Sequence, residues 1–120
     1  MRPHFRFEDL EIWQLAKALA IKFHKLADQL DKRRFYRYAE QLRAAGLSLT
    51  NNIAEGSGSL HVQEFKQFLN ISRRSLFEDA SMLMVFEALG LFKKSEIDEL
   101  LIDRDLLSRK ITNFSRSLKS

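Results

Sequence analysis

Apolar side chains recur every three or four positions along most of this chain, the period of an α-helix with one face turned inward. In the first such stretch Trp13, Ala16, Ala20, Phe23, Ala27 and Leu30 form one line, flanked by Ile12, Leu15, Leu19 and Leu26. That stripe is wider than one packing contact uses, so a helix over residues 9–30, buried on two sides, is predicted. Glu8 and Asp9 stand near its start, where acids favour the positive end of the helix dipole. After the charged interval Asp31-Lys-Arg-Arg, the line Phe35, Tyr38, Leu42, Ala45, Leu49 and Ile53 predicts a second helix over 34–55. Gly56 and Gly58 are then expected to end it in left-handed conformation. Gly46 should cost about 1 kcal/mol against Ala in a helix interior, so a neighbouring helix is expected to approach closely there.

The third line is Phe65, Phe68, Leu69, Ser72, Leu76, Ala80, Leu83 and Phe86, a helix over 60–89 with Gly90 as its stop. Ile71, Phe77, Met84 and Val85 fall off that line and imply burial against something besides the chain's own core. Ser95 reads as the N-cap of a fourth helix over 95–118, with Glu96, Asp98 and Glu99 following. Its positions Ile97, Leu100, Arg104, Leu107, Ile111, Phe114 and Leu118 make a heptad seam interrupted by one cation. Arg104 is read as a side chain snorkelling from the seam's edge, or as a buried partner of Glu78 or Glu87. Short connections imply antiparallel neighbours, so the expected fold class is all-α: one antiparallel up-down four-helix bundle domain spanning 1–120, with apolar surface left over for oligomerisation.

Composition narrows the setting. Four Gly and one Pro among 120 residues disfavour a sheet-rich fold. With no Cys there is no disulfide framework, thiolate metal site or thiol nucleophile. No apolar run suits a membrane span or a signal peptide, so a cytoplasmic chain without membrane contact is expected. The net charge of +4 is unevenly spread. Residues 17–43 hold eight bases against three acids, residues 75–103 hold two against seven, and residues 104–120 five against one. Such alternation suits neighbouring helices or subunits of complementary charge.

Catalytic patterns are missing. His24 with Asp28 is two groups, too few for a metal site, and His61 with Glu64 reverses the order used in di-iron helical proteins. Helical ribonucleases of the HEPN type need an Arg shortly before a His, whereas the nearest Arg preceding His24 is Arg6 and that preceding His61 is Arg43. Gly56-Ser-Gly-Ser lacks the Lys of a phosphate-binding loop and follows a predicted helix. No catalytic residue, cofactor, metal or small-molecule substrate is expected, and the protein is read as not an enzyme.

The densest polar signal lies between Gln41 and Gly56. Ser48, Asn52 and Glu55 share one helical stripe beside the apolar line, and with Gly56 they read as a structural motif of side-chain hydrogen bonds that fix packing and end the helix. At these residues the chain resembles the four-helix bundle proteins found within intervening sequences of bacterial 23S ribosomal RNA genes. The family's start is similar to Leu10-x-Ile-Trp13-x-x-Ala16, and its Gln-Leu-Arg-Ala-Ala pattern is met by Gln41 to Ala45. Its Asn-Ile-Ala-Glu-Gly block is met by Asn52 to Gly56, preceded by Ser48 and Leu49. Glu64, Phe65, Phe68 and Leu69, then Ser75, Leu76 and Glu78, match two further blocks. Two positions depart from the pattern: Thr50 stands where a Pro is frequent, and Arg74 where the family tends to have Gly or Ala. The resemblance implies a bundle that assembles with copies of itself as a ring, commonly a homopentamer, with a suspected nucleic-acid role and no established enzyme activity.

Two functions follow from the basic residues. In the first, Lys66, Arg73 and Arg74, with Asn70 and Phe77, form a basic face on the third helix that Arg33, Arg34, Arg37 and Arg43 extend from the second, and the ring binds RNA or DNA through phosphates. In the second, the same cations pair with the acidic region of a neighbour, and the protein is a structural or protein-partner assembly without a nucleic-acid role.

Overall fold

The computed structural model describes residues 1–119. Four helices carry the chain: α1 (Glu11–Lys32), α2 (Tyr36–Ser57), α3 (Val62–Ala88) and α4 (Lys94–Ser117). A 3₁₀ turn, Arg6–Asp9, precedes α1, and no strand occurs among the described residues. Each helix packs on the next, and α4 returns to α1, while the diagonal pairs do not meet. No helix among the described residues is long and apolar enough to cross a membrane.

The seams alternate steps of four and three on every helix, with half-buried Arg104 holding one position of the α4 seam. Ile12, Ala16, Leu19, Phe23, Leu26 and Leu30 are buried on α1, Ala39, Leu42, Gly46, Leu49, Ile53 and Gly56 on α2, and Ile97, Leu100, Leu107 and Ile111 on α4. On α3 the buried set is Phe65, Leu69, Ser72, Leu76, Asp79, Leu83 and Phe86. The heptad phase therefore differs from the apolar lines read in the sequence. Ile12 and Leu19 occupy the seam while Trp13 and Ala20 flank it, Gly46 stands where Ala45 was expected, and Asp79 where Ala80 was. Alternate three- and four-residue steps keep a seam facing its partner, and a small or charged residue holds its place in that phase when its neighbours require it.

Glycine acts here through missing volume. A Cβ on Gly46 would lie 2.9 Å from the Ala20 Cα, so α1 and α2 approach backbone to backbone. A Cβ on Gly56 would lie 2.8 Å from the Phe68 Cβ and 2.9 Å from the Phe65 Cδ1. Gly56 is thus inside α2, and Gly58 ends the helix at φ −84°, not in left-handed conformation. The left-handed residues are Arg34 (φ 67°) and Gly90 (φ 74°). Each is followed by a residue whose N–H reaches back five positions: Phe35 N–H to Leu30 O at 2.9 Å, and Leu91 N–H to Phe86 O at 3.0 Å. Both turns are Schellman closures, and at the first a non-glycine takes a conformation costing about 1–2 kcal/mol.

The helix starts also differ from expectation. Glu8 accepts from Arg2 at 2.6 Å and from the Phe5 N–H at 2.8 Å, so it closes the 3₁₀ turn instead of opening α1. At α4 the cap is Lys93, whose N–H is taken by the Glu96 carboxylate at 3.1 Å, and Ser95 lies inside the helix. Arg104 meets neither Glu78 nor Glu87: its Nε–H donates to Leu76 O at 3.0 Å, and its guanidinium covers Phe77 with 4.8 Å to the ring centre.

Asp79 is 4% exposed, and its Oδ2 has no hydrogen-bond partner. It lines a cleft against Gln41, Ala44, Ala45 and Ser48 of α2, with Ser75, Glu78 and Met82 on its own helix. Burial, reinforced by the Glu78 charge and opposed by Arg104, pushes its carboxyl from 3.8 up to about 7.

Two predictions follow from this packing. Gly56→Ala forces the Phe65 and Phe68 side chains apart, an overpacking cost of about 1–3 kcal/mol that exceeds the gain in helix preference, so the melting temperature falls by several degrees. Gly58→Ala makes only ordinary contacts, with the Glu55 carbonyl at 3.5 Å and the Ala54 carbonyl at 4.0 Å, and leaves the melting temperature unchanged or higher. For Asp79, both folded and unfolded chains hold the proton below pH 4. Between pH 4 and 7 the unfolded chain ionises first and folding weakens, and above pH 7 the full penalty of up to about 4 kcal/mol stands. Asp79→Asn should therefore stabilise the protein at pH 8 and not at pH 4 in paired thermal melts; a variant less stable than the parent at pH 8 would mean that the carboxylate is ionised and partnered.

Candidate nucleic-acid interface

The basic residues read from the sequence fall into separate groups. Arg33 follows the last turn of α1, and its Nη1 donates to Leu91 O at 3.0 Å, tying the α1–α2 turn to the α3–α4 turn. Its guanidinium also stacks near Phe35, 5.4 Å from the ring centre. Arg34 and Arg37 beside it are exposed. Lys32 and Lys93, exposed on the same two turns, belong to the same end of the molecule.

Arg43 does not continue this group. Its Nη2 contacts Asp28 Oδ1 at 2.6 Å and Asp31 Oδ2 at 2.7 Å, and these two carboxylates raise the guanidinium pKa further. Its charge is spent joining α1 to α2. Lys22 is similarly engaged by Glu99 and Asp103, and Lys110 by Glu11, across the α1–α4 contact.

The α3 cations lie elsewhere. Arg73 is 18 residues before Leu91, about 27 Å along a helix at 1.5 Å per residue, and Lys66 is farther still. The α2 and α3 arginines therefore do not make one continuous stripe. Arg73 is half-buried, its guanidinium stands 6.0 Å from the Phe77 ring centre, and its Nε is buried without an acceptor. An unmet buried donor of this kind costs about 1–3 kcal/mol. Phe77 is thus flanked by two guanidinium groups, Arg73 and Arg104, while the residue remains 58% exposed. Arg74 lines a different cleft that it shares with Ile71, Ser75, Phe77 and Glu78.

One contributor escaped the sequence reading. Arg116, on the last turn of α4, joins Arg73 and Asn70 around a cleft of about 290 Å³ whose other walls are Thr112 and Ser115. The signal was present, since Thr112 and Arg116 are four apart and so share a helical face beside the seam, but the sequence does not say which face of α4 meets α3.

The motif residues act on packing. The Asn52 amide donates to Ser48 O at 2.8 Å and to Ser48 Oγ at 3.2 Å, one turn back on α2. Glu55 is exposed, and Gly56 is covered by Phe65 and Phe68. The polar stripe does not end the helix, which continues to Ser57. Ser72 of α3 supplies the cross-helix bond, its hydroxyl donating to Leu49 O at 3.3 Å.

Imidazole chemistry finds no constellation. His24 Nε2 lies 3.7 Å from Asp28 Oδ1, and His4 Nε2 lies 2.9 Å from Asp9 Oδ1, both pairs at the surface. Among the described residues no group of three or more His, Cys, Asp or Glu is placed to hold a metal ion.

Comparison with curated proteins finds no match. Comparison with protein families does: residues 8–113 match the family described as 23S rRNA-intervening sequence protein. The match takes in all of α1, α2 and α3 and most of α4, including the Asn52 to Gly56 block and the Arg73 face. The chain belongs to the 23S rRNA-intervening sequence protein family.

Proposed function

We propose that this chain is a non-catalytic cytoplasmic subunit that assembles with copies of itself into a pentameric ring of antiparallel up-down bundles and binds RNA or DNA through phosphates. The observation that carries the binding half is the basic end. The Arg33 bond to Leu91 joins two turns, so that Lys32, Arg33, Arg34, Arg37 and Lys93 share one surface. Clustered cations of this kind attract polyanions without reading a base sequence.

Helix direction is supported by the order of contacts: Arg43 meets Asp28 and Asp31, Gly46 meets Ala20, and Arg6 donates to Ser57 O at 3.3 Å, one residue number rising as the other falls. Assembly is supported by apolar side chains outside the seams on two different sides. Ile21 and Leu47 are exposed on α1 and α2, Phe77 and Ile102 on α3 and α4. Two unlike patches suit a head-to-tail contact, which closes into a ring when the rotation allows; the count of five comes from the family resemblance. A ring repeats every basic surface, so weak single contacts add through multivalency.

The alternative, a structural or protein-partner module, draws on one observation: Arg74 sits among Ile71, Phe77 and Glu78, a mixed apolar and charged surface suited to protein contact. The two readings separate in one titration. A fluorescently labelled 20-nucleotide single strand should bind at 50 mM salt and weaken at least tenfold by 200 mM. The double reversal Arg34→Glu with Arg37→Glu should weaken binding a further tenfold or more and flatten the salt slope, without changing the mass of the assembly. No binding at 50 mM salt, or binding indifferent to salt, contradicts the nucleic-acid reading and leaves the protein-partner one.

A further inference from the structure

A cleft lies between α3 and α4. Its rim holds two guanidinium groups, Arg73 and Arg116, with the Asn70 amide and the Ser115 hydroxyl between them, and no acidic residue lines it. Its floor is Leu69 and Ile111, both seam residues. Elsewhere several acids are paired with cations: Asp28 and Asp31 with Arg43, Glu99 and Asp103 with Lys22, Asp98 with Lys94, Asp105 with Arg109. Arg73 and Arg116 make no ion pair among the described residues, although they face the same space.

Two details of geometry point to an anion. The Arg73 Nε–H is buried and lacks an acceptor, so the protein leaves this guanidinium without a counter-charge and with its hydrogen bonding incomplete. Its guanidinium is also held over Phe77, which limits the rotamer freedom lost on binding. Thr112 adds no free donor, since its hydroxyl already donates to Ser108 O at 3.1 Å. An apolar floor lowers the local dielectric and strengthens attraction between the guanidinium groups and a charge above them. Arginine forks fit the tetrahedral oxygens of phosphate in paired hydrogen bonds.

We propose that the α3–α4 cleft is a phosphate-binding site, Arg73 and Arg116 clamping one phosphate group of a nucleic-acid backbone while Asn70 and Ser115 bond its remaining oxygens. The proposal deepens the nucleic-acid reading and rests on it for the source of the phosphate. Lys66, seven residues before Arg73 and hence about 10 Å along α3, continues the basic stripe toward the neighbouring phosphates. The ligand is read by charge and shape, so the site takes RNA and DNA without base preference.

The test uses the full chain and two probes, a labelled decauridylate and inorganic phosphate, at constant ionic strength, with the ¹⁵N-labelled arginine Nε–H signals as the direct readout. Arg116→Gln and Arg73→Gln should each weaken decauridylate binding about tenfold. Arg109→Gln, which removes the same charge from α4 but from a side chain paired to Asp105, should change it less than twofold. The Arg73 Nε–H signal should shift saturably with decauridylate, and Arg116→Gln should abolish that shift; because Arg116 is exposed, this variant tests the site even if Arg73→Gln disturbs folding. Should decauridylate bind equally well to both variants, the cleft is not the site, although the nucleic-acid reading survives. A wild-type protein that ignores decauridylate, but whose Arg73 signal saturates with inorganic phosphate in an Arg116-dependent way, keeps the cleft with a free phosphate as its ligand and overturns the nucleic-acid reading. Response to neither probe overturns both.

Discussion

Burial of four apolar seams on one another is the constraint from which the rest of this molecule follows. Every helix turns the same alternating three- and four-residue face inward, and each helix meets only two neighbours. Once those faces are committed, residues outside them have no further interior to enter. Ile21, Leu47, Phe77 and Ile102 therefore remain at the surface however well the core packs. Where two helices must come very close, the side chain is removed: Gly46 admits the Ala20 backbone and Gly56 admits Phe65 and Phe68. The motif block that looks polar in the sequence is consequently a packing device as much as a chemical one, with Asn52 folded back onto Ser48 and Gly56 clearing room for α3.

The number of helices and most of the inward apolar residues were legible, because a 3.6-residue period leaves a mark in any amphipathic helix. The phase of each seam was less so. Reading by apolarity favoured Ala80 over Asp79 and Ala45 over Gly46, since nothing in a local pattern says that a carboxylate or a bare backbone will be drawn inside by its neighbours. Turn chemistry misled in the same manner. Gly56 and Gly58 looked like helix terminators, whereas the left-handed position at the first turn is taken by Arg34, a residue whose type gives no hint of it.

The candidate site was legible only in part for a related reason. A list of cations does not reveal which of them already have partners. Arg43 and Lys22 are occupied by carboxylates from other helices, pairings at separations of 12 to 81 residues that no local window contains. Arg73 was visible on its own helix, but Arg116 becomes its companion only when α4 lies against α3. Subtracting the paired cations leaves, beside Arg74 on its own surface and scattered lysines, the joined turns around Arg33 and the cleft between Arg73 and Arg116. The first has charge density and the second two guanidinium groups without a carboxylate partner among the described residues, and on the proposed reading the two would act on the same polyanion from different places on each subunit.

Assembly is the claim on which that reading turns, because repeated weak contacts gain strength only when several copies act together. Sedimentation of the purified full chain over a range of concentrations tests it most directly. The account predicts one species near five times the 14.1 kDa chain mass, persisting on dilution to micromolar concentration. A stable, soluble single chain across that range would contradict it.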